Sequence, residues 1–397
     1  MEMAGTVRGS GAGARTRAGG EADVGGAGSG ANLLALRSHN TALVLDLLRR
    51  AGAAGISRLE LAERTGLTPQ AVSKITARLR DRGLAAEAGR RASTGGKPRT
   101  VLRLVPEAGR AVGVHVERDE VRAVLVDLDG TVTGERRRPL DLGAAAGAVV
   151  AAVAEQTEAL VAEAFGTGPR EAGAASLLGA GVALPGPLDH ESGVLHRVTG
   201  FPGWDGFPLR DALERRLGVL VVVDKDTNAA ALGLAVAGEG RGGSFAYLHL
   251  GTGLGAGLVV GGSVHRGART GAGEFGHQVI QLDGPPCACG DRGCVEALCL
   301  AAVARGDTAE AARVLGAGAA NLVGLLDIDL VLLGGRTVAA DPEAFEAGVG
   351  AVVAARVRRN GLPEGAVPVR RAPTGARGVA EGAAQLLLAP LFGRGEG

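Results

Sequence analysis

Four residues between positions 277 and 294 carry the sharpest chemical pattern in this chain: His277, then Cys287, Cys289 and Cys294. One imidazole and three thiolates form a closed tetrahedral set for zinc, and a closed set is structural because no position is left for water or substrate. Gly290 and Gly293 let the backbone fold back tightly enough for three sulfurs to meet one ion. A Cys-x-Cys pair can also oxidise, so a redox reading stays open beside the metal one. Cys299 is left over and reads as a small buried apolar side chain on a helix. All four cysteines fall between 287 and 299 of 397 residues, which argues against a disulfide framework and for a reducing, cytoplasmic setting.

Two further patterns are weaker. Gly251-Thr252-Gly253-Leu254-Gly255-Ala256-Gly257 could expose amides to a phosphate or simply make a β-turn that needs glycine. Asp224-Lys225-Asp226-Thr227-Asn228 follows the apolar run 219–223 and opens an Ala-rich segment. Carboxylates at the C-terminal end of a strand are where α/β sheets meet ligands, although they also cap helices.

The elements that must position these residues divide the chain unevenly. Residues 33–110 carry 15 Lys and Arg against 6 Asp and Glu, while 111–397 are net acidic by eight charges. A small basic module before a large acidic body is the pattern expected when only the small part meets a polyanion. Residues 1–31 have hardly any large apolar side chain and read as a disordered tail. Leu43, Leu47 and Leu48 then recur at helical spacing. Ser57 and Glu60 form a capping box for a second helix that stops at Gly66. Thr68 and Pro69 open a third, with Val72, Ile75 and Leu79 on one face, running to about Arg82.

A helix, a short turn with glycine and a second helix make a helix-turn-helix, whose second helix presents its outer face to the major groove. Gln70, Ser73, Lys74 and Arg78 lie on that face, with Ser57, Arg58 and Thr68 at the helix starts. Strands over 84–87 and 100–104, joined by the flexible basic loop 89–98 that contains Lys97, would form a wing. No aromatic residue precedes Phe165, so the stacking platforms of single-strand binders are missing and duplex DNA is the expected partner. Strands over 112–116, 121–128, 179–183, 220–223, 244–251, 255–260 and 330–333 alternate with helical segments. The body is therefore read as α/β with two lobes. The longest uncharged run, 242–265, holds eight glycines, and no membrane-spanning helix is expected.

Together these residues resemble the ROK family, which groups sugar-responsive repressors with sugar kinases. The resemblance covers nearly everything from Asn40 to Leu391. It rests on Ile56-Ser57-Arg58-Leu59-Glu60-Leu61-Ala62, Gly66-Leu67-Thr68, Val72-Ser73 and Gly95-Gly96-Lys97-Pro98 in the basic module. In the body it rests on Leu184-Pro185-Gly186, the 251–257 loop, Ala272-Gly273-Glu274-Phe275-Gly276-His277 and the stretch Cys287 to Glu296. What it implies is an actin-like, two-lobed sugar-kinase fold over 109–397, with a structural zinc, preceded by a winged helix-turn-helix over 32–108.

The resemblance further implies that Glu274, His277 and Glu296 contact sugar hydroxyls, and that Asp226 stands where the kinases keep their catalytic base. Two positions depart from the kinase pattern. Lys225 replaces an Asn before that base, and the first phosphate loop, Asp-x-Gly-Gly-Thr in kinases, would fall at His115-Val116-Glu117-Arg118-Asp119. Acidic side chains there oppose polyphosphate. The expected function is a sugar-responsive, homodimeric or homotetrameric DNA-binding regulator without kinase activity, most simply a repressor released by a sugar or sugar derivative. The alternative is an ATP-dependent sugar kinase carrying a DNA-binding arm.

Overall fold

The computed structural model of the chain describes residues 39–93, 96–196, 202–363 and 365–394. The expected disordered tail, 1–31, lies outside the described residues, as do Thr94 and Gly95 of the wing. Three helices open the described chain: α1 (His39–Ala51), α2 (Arg58–Thr65) and α3 (Pro69–Asp81). The capping box at α2 is formed in both directions, with Glu60 N donating to Ser57 Oγ at 3.3 Å and Ser57 N donating to Glu60 Oε2 at 2.8 Å. Gly66 closes α2 in the left-handed region at φ 70°, and Thr68 Oγ1 accepts from Ala71 N to start α3.

Val72, Ile75 and Leu79 are buried as their spacing indicated, against Leu45, Leu48, Leu61 and Leu102. In α1 the buried face differs from the expected one. It is made by Thr41, Ala42, Val44, Leu45 and Leu48, with Leu43 and Leu47 at its margin. Leu391 and Phe392, from the far end of the chain, share this core with Val44, Leu45 and Leu48, a cover that local spacing does not disclose.

The wing is longer and more regular than a flexible loop. β2 (Ala85–Ser93) and β3 (Gly96–Leu104) pair antiparallel along their length, out to Ser93 opposite Gly96, and the short β1 (Ile56–Ser57) adds to β3. Arg91 ties the hairpin to α2 through Glu60 Oε1 at 3.0 Å and the Gly55 carbonyl at 3.0 Å.

The body has two five-stranded sheets. In the first lobe β4 (Arg110–Val116), β5 (Glu120–Asp127), β6 (Val132–Pro139), β7 (Leu177–Leu184) and β10 (Val221–Lys225) lie in the order β10-β7-β4-β5-β6. Helices α4 (Ala146–Phe165), α5 (Pro169–Ala175) and α6 (Leu209–Leu217) cover it, and β8 (Leu188–Asp189) pairs with β9 (Val194–Leu195) beside it. β6 was not expected, because Val-Thr-Gly-Glu-Arg-Arg-Arg-Pro is polar, as suits an exposed edge strand.

After α7 (Asp226–Ala237) comes the second sheet. β11 (Phe245–Leu250), β12 (Leu254–Val260), β13 (Ser263–Val264), β14 (Leu330–Gly334) and β15 (Val369–Arg371) lie in the order β13-β12-β11-β14-β15. Its helices are α8 (Val295–Ala304), α9 (Thr308–Leu326), α10 (Arg336–Ala340) and α11 (Pro342–Arg359). By length and composition α9 could cross a membrane, yet Ala311, Val314, Leu315 and Ala319 are buried in the lobe's core with Phe345 and Val349.

The last helix, α12 (Gly378–Leu388), packs against α7 and directly on β4 and β7. Glycines make this approach close. A Cβ at Gly113 or at Gly181 would lie 1.9 Å from a carbonyl oxygen of α12, and one at Gly382 would lie 2.0 Å from Ala229 O of α7.

Candidate functional site

The candidate metal centre forms as its spacing indicated. The donor atoms of His277, Cys287, Cys289 and Cys294 all lie within 4.8 Å of one another. His277 comes from a 3-10 turn over 275–277, and Cys294 is the residue before α8. Gly293 at φ 65° makes the sharp turn between them, since a Cβ there would stand 1.6 Å from the Gln281 carbonyl. Cys289 Sγ lies 3.7 Å from Cys294 Sγ, and Cys287 Sγ lies 3.7 Å from His277 Nδ1. A tetrahedron with metal–sulfur bonds of about 2.3 Å has sulfur–sulfur edges of about 3.8 Å, so the set fits a zinc-sized cation. Burial pushes the Cys294 thiol up to about 12, which keeps it protonated until a cation displaces the proton. Cys299, as expected, is buried in α8, where its thiol donates to the Ala311 carbonyl.

His277, whose Nδ1 faces Cys287 Sγ, also lines a cavity of about 100 Å³. Glu274, Glu296 and Asp226, which the sequence placed with it, line the same cavity. Glu296 Oε2 accepts from the amide of Leu254 at 2.8 Å, which fixes the glycine loop to α8. Asp226 opens α7, and its Oδ1 accepts from the amide of Thr227 at 2.6 Å. Lys225 is buried between the two aspartates, with Nζ donating to Glu274 Oε1 at 3.0 Å and to the Ala272 carbonyl. Asp224 is fully buried and is committed to structure, accepting from Arg266 Nε at 2.8 Å and Asn228 Nδ2 at 2.9 Å.

The turn 117–119 carries its acids where the kinase resemblance places a phosphate loop. A Cβ on Gly251 would lie 3.2 Å from Glu117 Oε1, so this carboxyl occupies the space over the glycine loop. Burial holds the Glu117 carboxyl above its ordinary range, with Arg336 of α10 opposing. Arg336 Nη1 donates to Asp119 Oδ2 at 2.7 Å, a contact that joins the first lobe to the second. Beyond it opens a cleft of about 1040 Å³ lined by His115, Tyr247, His249 and Arg336 among others. Sequence reasoning missed His249 and Arg336. The signals were faint: His249 lies near the C-terminal end of a strand, and Arg336 follows Gly334-Gly335.

On the basic module the expected contacts separate into two groups. Gln70, Ser73 and Lys74 are exposed along α3. Ser57 is a correction: it is buried and held in the capping box, so it faces no partner from outside. Thr68 is exposed, but its hydroxyl is occupied by the α3 cap. Arg58 is half-buried and donates to Thr76 Oγ1 at 3.3 Å, while Arg78 donates to Thr41 Oγ1 at 2.6 Å. Both brace the helices against one another. Lys97 stands on β3, and its side chain lies outside the described residues.

Comparisons with known proteins point the same way for both units. A family described as ROK family matches residues 111–303, and one described as winged helix-turn-helix DNA-binding matches residues 39–85. The N-acetylglucosamine repressor of Escherichia coli O157:H7 is 31% identical over 286 residues, 70% of this chain and 65% of that protein. The xylose repressor of Bacillus subtilis (strain 168) is 28% identical over 245 residues, 61% of each. The chain thus spans just under two thirds of these curated relatives. Among solved structures, the ROK hexokinase from Thermus thermophilus aligns with a TM-score of 0.57 at 30% identity, over 70% of this chain and 98% of that one. A ROK family transcriptional regulator homologous to the E. coli MLC protein aligns with a TM-score of 0.71 at 20% identity, over 90% and 97%, a likeness of fold.

Proposed function

Since this chain belongs to the ROK family, we propose that it is a sugar-responsive DNA-binding regulator, acting as a repressor in a reducing cytoplasm. The single observation that carries this reading is the coexistence of two candidate sites in one chain. An exposed polar and basic face on α3 stands at one end, and Asp226, Glu274, His277 and Glu296 converge on one cavity at the other. The DNA-binding unit is assigned to 32–108 and the sugar-binding unit to 109–397. Repressor names among its relatives support the direction of control.

Gln70, Ser73, Lys74 and Arg78, all exposed on α3, would meet the duplex, with Arg58 at the start of α2 and Lys97 from the wing. A homodimer or homotetramer would present paired modules to half-sites of a pseudo-palindrome, and the sugar would favour an arrangement whose spacing mismatches the operator. His277, Cys287, Cys289 and Cys294 would hold Zn²⁺, whose charge would fix the ring and the 287–294 loop beside the cavity. Asp226 acts here as a hydroxyl acceptor and not as a catalytic base. Glu117 over the glycine loop opposes the entry of polyphosphate, which supports the absence of kinase activity.

The test is the binding of the full chain to promoter duplexes, its own included, by fluorescence anisotropy across salt concentrations. A salt-sensitive preference for one duplex over random DNA, weakened by a sugar, is expected; no preference for any duplex sinks the reading. The kinase alternative is favoured by the retained Asp226 and 251–257 loop. Phosphorylation of a hexose by ATP, abolished in Asp226→Asn, would establish it instead.

A further inference from the structure

Lys225 ends β10 between two aspartates, and its side chain is only 3% exposed although it lines the cavity. A buried ammonium is costly unless its donors are matched. Among the described residues two of the three donors are matched, by Glu274 Oε1 at 3.0 Å and by the Ala272 carbonyl. The arrangement is built by separate elements. The lysine stem runs past Gly186, where a Cβ would come within 2.6 Å of Lys225 Cδ. The loop that supplies Ala272 and Glu274 is fastened to β12, since Ala256 N donates to the Gly273 carbonyl at 3.0 Å. Gly273, at φ 85°, is also the only residue type that fits there, because a Cβ would lie 2.0 Å from Ala256 O.

The charges around the cavity are unequal. Beside Lys225 and Arg118 its walls carry Glu117, Asp226, Glu274 and Glu296. Arg118 is itself engaged within the protein. An anionic ligand would therefore meet carboxylates and an ammonium that already has a counter-ion. A sugar hydroxyl, which both donates and accepts, would find an acceptor in Glu274 and the third ammonium hydrogen of Lys225 side by side.

Taking the cavity as the effector site proposed above, we infer that the Lys225–Glu274 ion pair sets its specificity. It admits uncharged sugars through one ring hydroxyl and turns away sugar phosphates and sugar acids, because Glu274 cancels Lys225, the buried ammonium that would otherwise receive them. Lys225 and Glu274 both touch the ligand.

The experiment is calorimetric titration of the full-length protein with three uncharged sugars, D-glucose, D-xylose and N-acetyl-D-glucosamine, and three anions, D-glucose 6-phosphate, N-acetyl-D-glucosamine 6-phosphate and D-glucuronate. The tightest uncharged sugar should bind at least about tenfold more tightly than any of the anions, the ratio expected of one charge-assisted hydrogen bond. Glu274→Gln keeps the shape but frees the ammonium, so it should weaken the uncharged sugar and bring the anions level with it or ahead. Lys225→Met should weaken the uncharged sugar without that inversion. A wild-type protein that prefers a phosphate or the uronate overturns the role of the pair and leaves the sugar-sensing reading standing. So does unaltered selectivity in Glu274→Gln with an unchanged circular dichroism spectrum. Binding of none of the six overturns the sugar-sensing reading, and this inference with it.

Discussion

His115 sits in β4 at 6% exposure, with its Nε2 buried and unpartnered among the described residues and its ring edge-on to His249 at 6.5 Å. Burial, helped by His249 and Arg122, pushes the imidazole down to about 3. In the unfolded chain the same ring titrates near 6.5. Between these values the unfolded state binds more protons, so stability is complete above about pH 6.5 and falls as the pH drops toward 3. At pH 5 the loss from this one ring is about 2 kcal/mol. Urea unfolding of His115→Asn should show a pH 7 to pH 5 difference smaller by that amount, and an identical difference in both proteins would refute the assignment. Nothing in the sequence singles out this histidine as buried and unpaired, because its environment is made by strands and lobes far apart in the chain. The residues of the candidate metal centre were legible for the opposite reason: their donor types and spacing are local. Ser57 shows where local reading misleads, since a serine at a helix start serves a cap or a phosphate equally well until its burial is known.

At the scale of elements, the helix-turn-helix could be read from caps, turn glycine and apolar spacing, all of which act within a few residues. The wing was read too short because Gly89, Arg90 and Arg91 suggest a loop, whereas pairing with β3 holds them extended. β6 escaped because an edge strand lacks the apolar alternation of an inner one. Between the 3-10 turn at 275–277 and α8 the described chain forms no helix or strand and is held by the isolated bridges Val279–Cys294 and Pro286–Arg292 around its cysteines. Stripping metal with 1,10-phenanthroline should lower the melting temperature by about 5 °C or more, the shift that a loss of about 2 kcal/mol produces in a domain of this size. Cys289→Ser should reproduce the effect and make the protein insensitive to the chelator. An unchanged melting temperature, with no zinc found by elemental analysis, would refute the metal centre.

Across the whole molecule, the join between the basic module and the body is what sequence could not disclose, because it pairs the two ends of the chain. Leu391 and Phe392 complete the module's core, and Arg49 stacks over the Phe392 ring at 4.3 Å. Arg394 spans the join, donating to the Val236 carbonyl in α7 at 3.1 Å and pairing with Asp46 of α1 at 3.4 Å. Since α7 begins at Asp226 in the cavity proposed for the sugar, this arginine links the far end of that helix to the helix-turn-helix unit. Arg394→Ala should therefore keep both duplex and sugar binding within about threefold, the effect of a partly exposed ion pair, while the sugar no longer alters duplex affinity. Anisotropy with and without saturating sugar measures this, and a preserved sugar effect would rule out the route. The glycine contacts beneath α12 give this join its mechanical character. At Gly113, Gly181 and Gly382 backbone rests on backbone, so at these three points no side chain stands between the helix and its neighbours. A larger residue at any of the three would have to push α12 off the strands or off α7, so the thickness of this layer is set by the missing Cβ atoms.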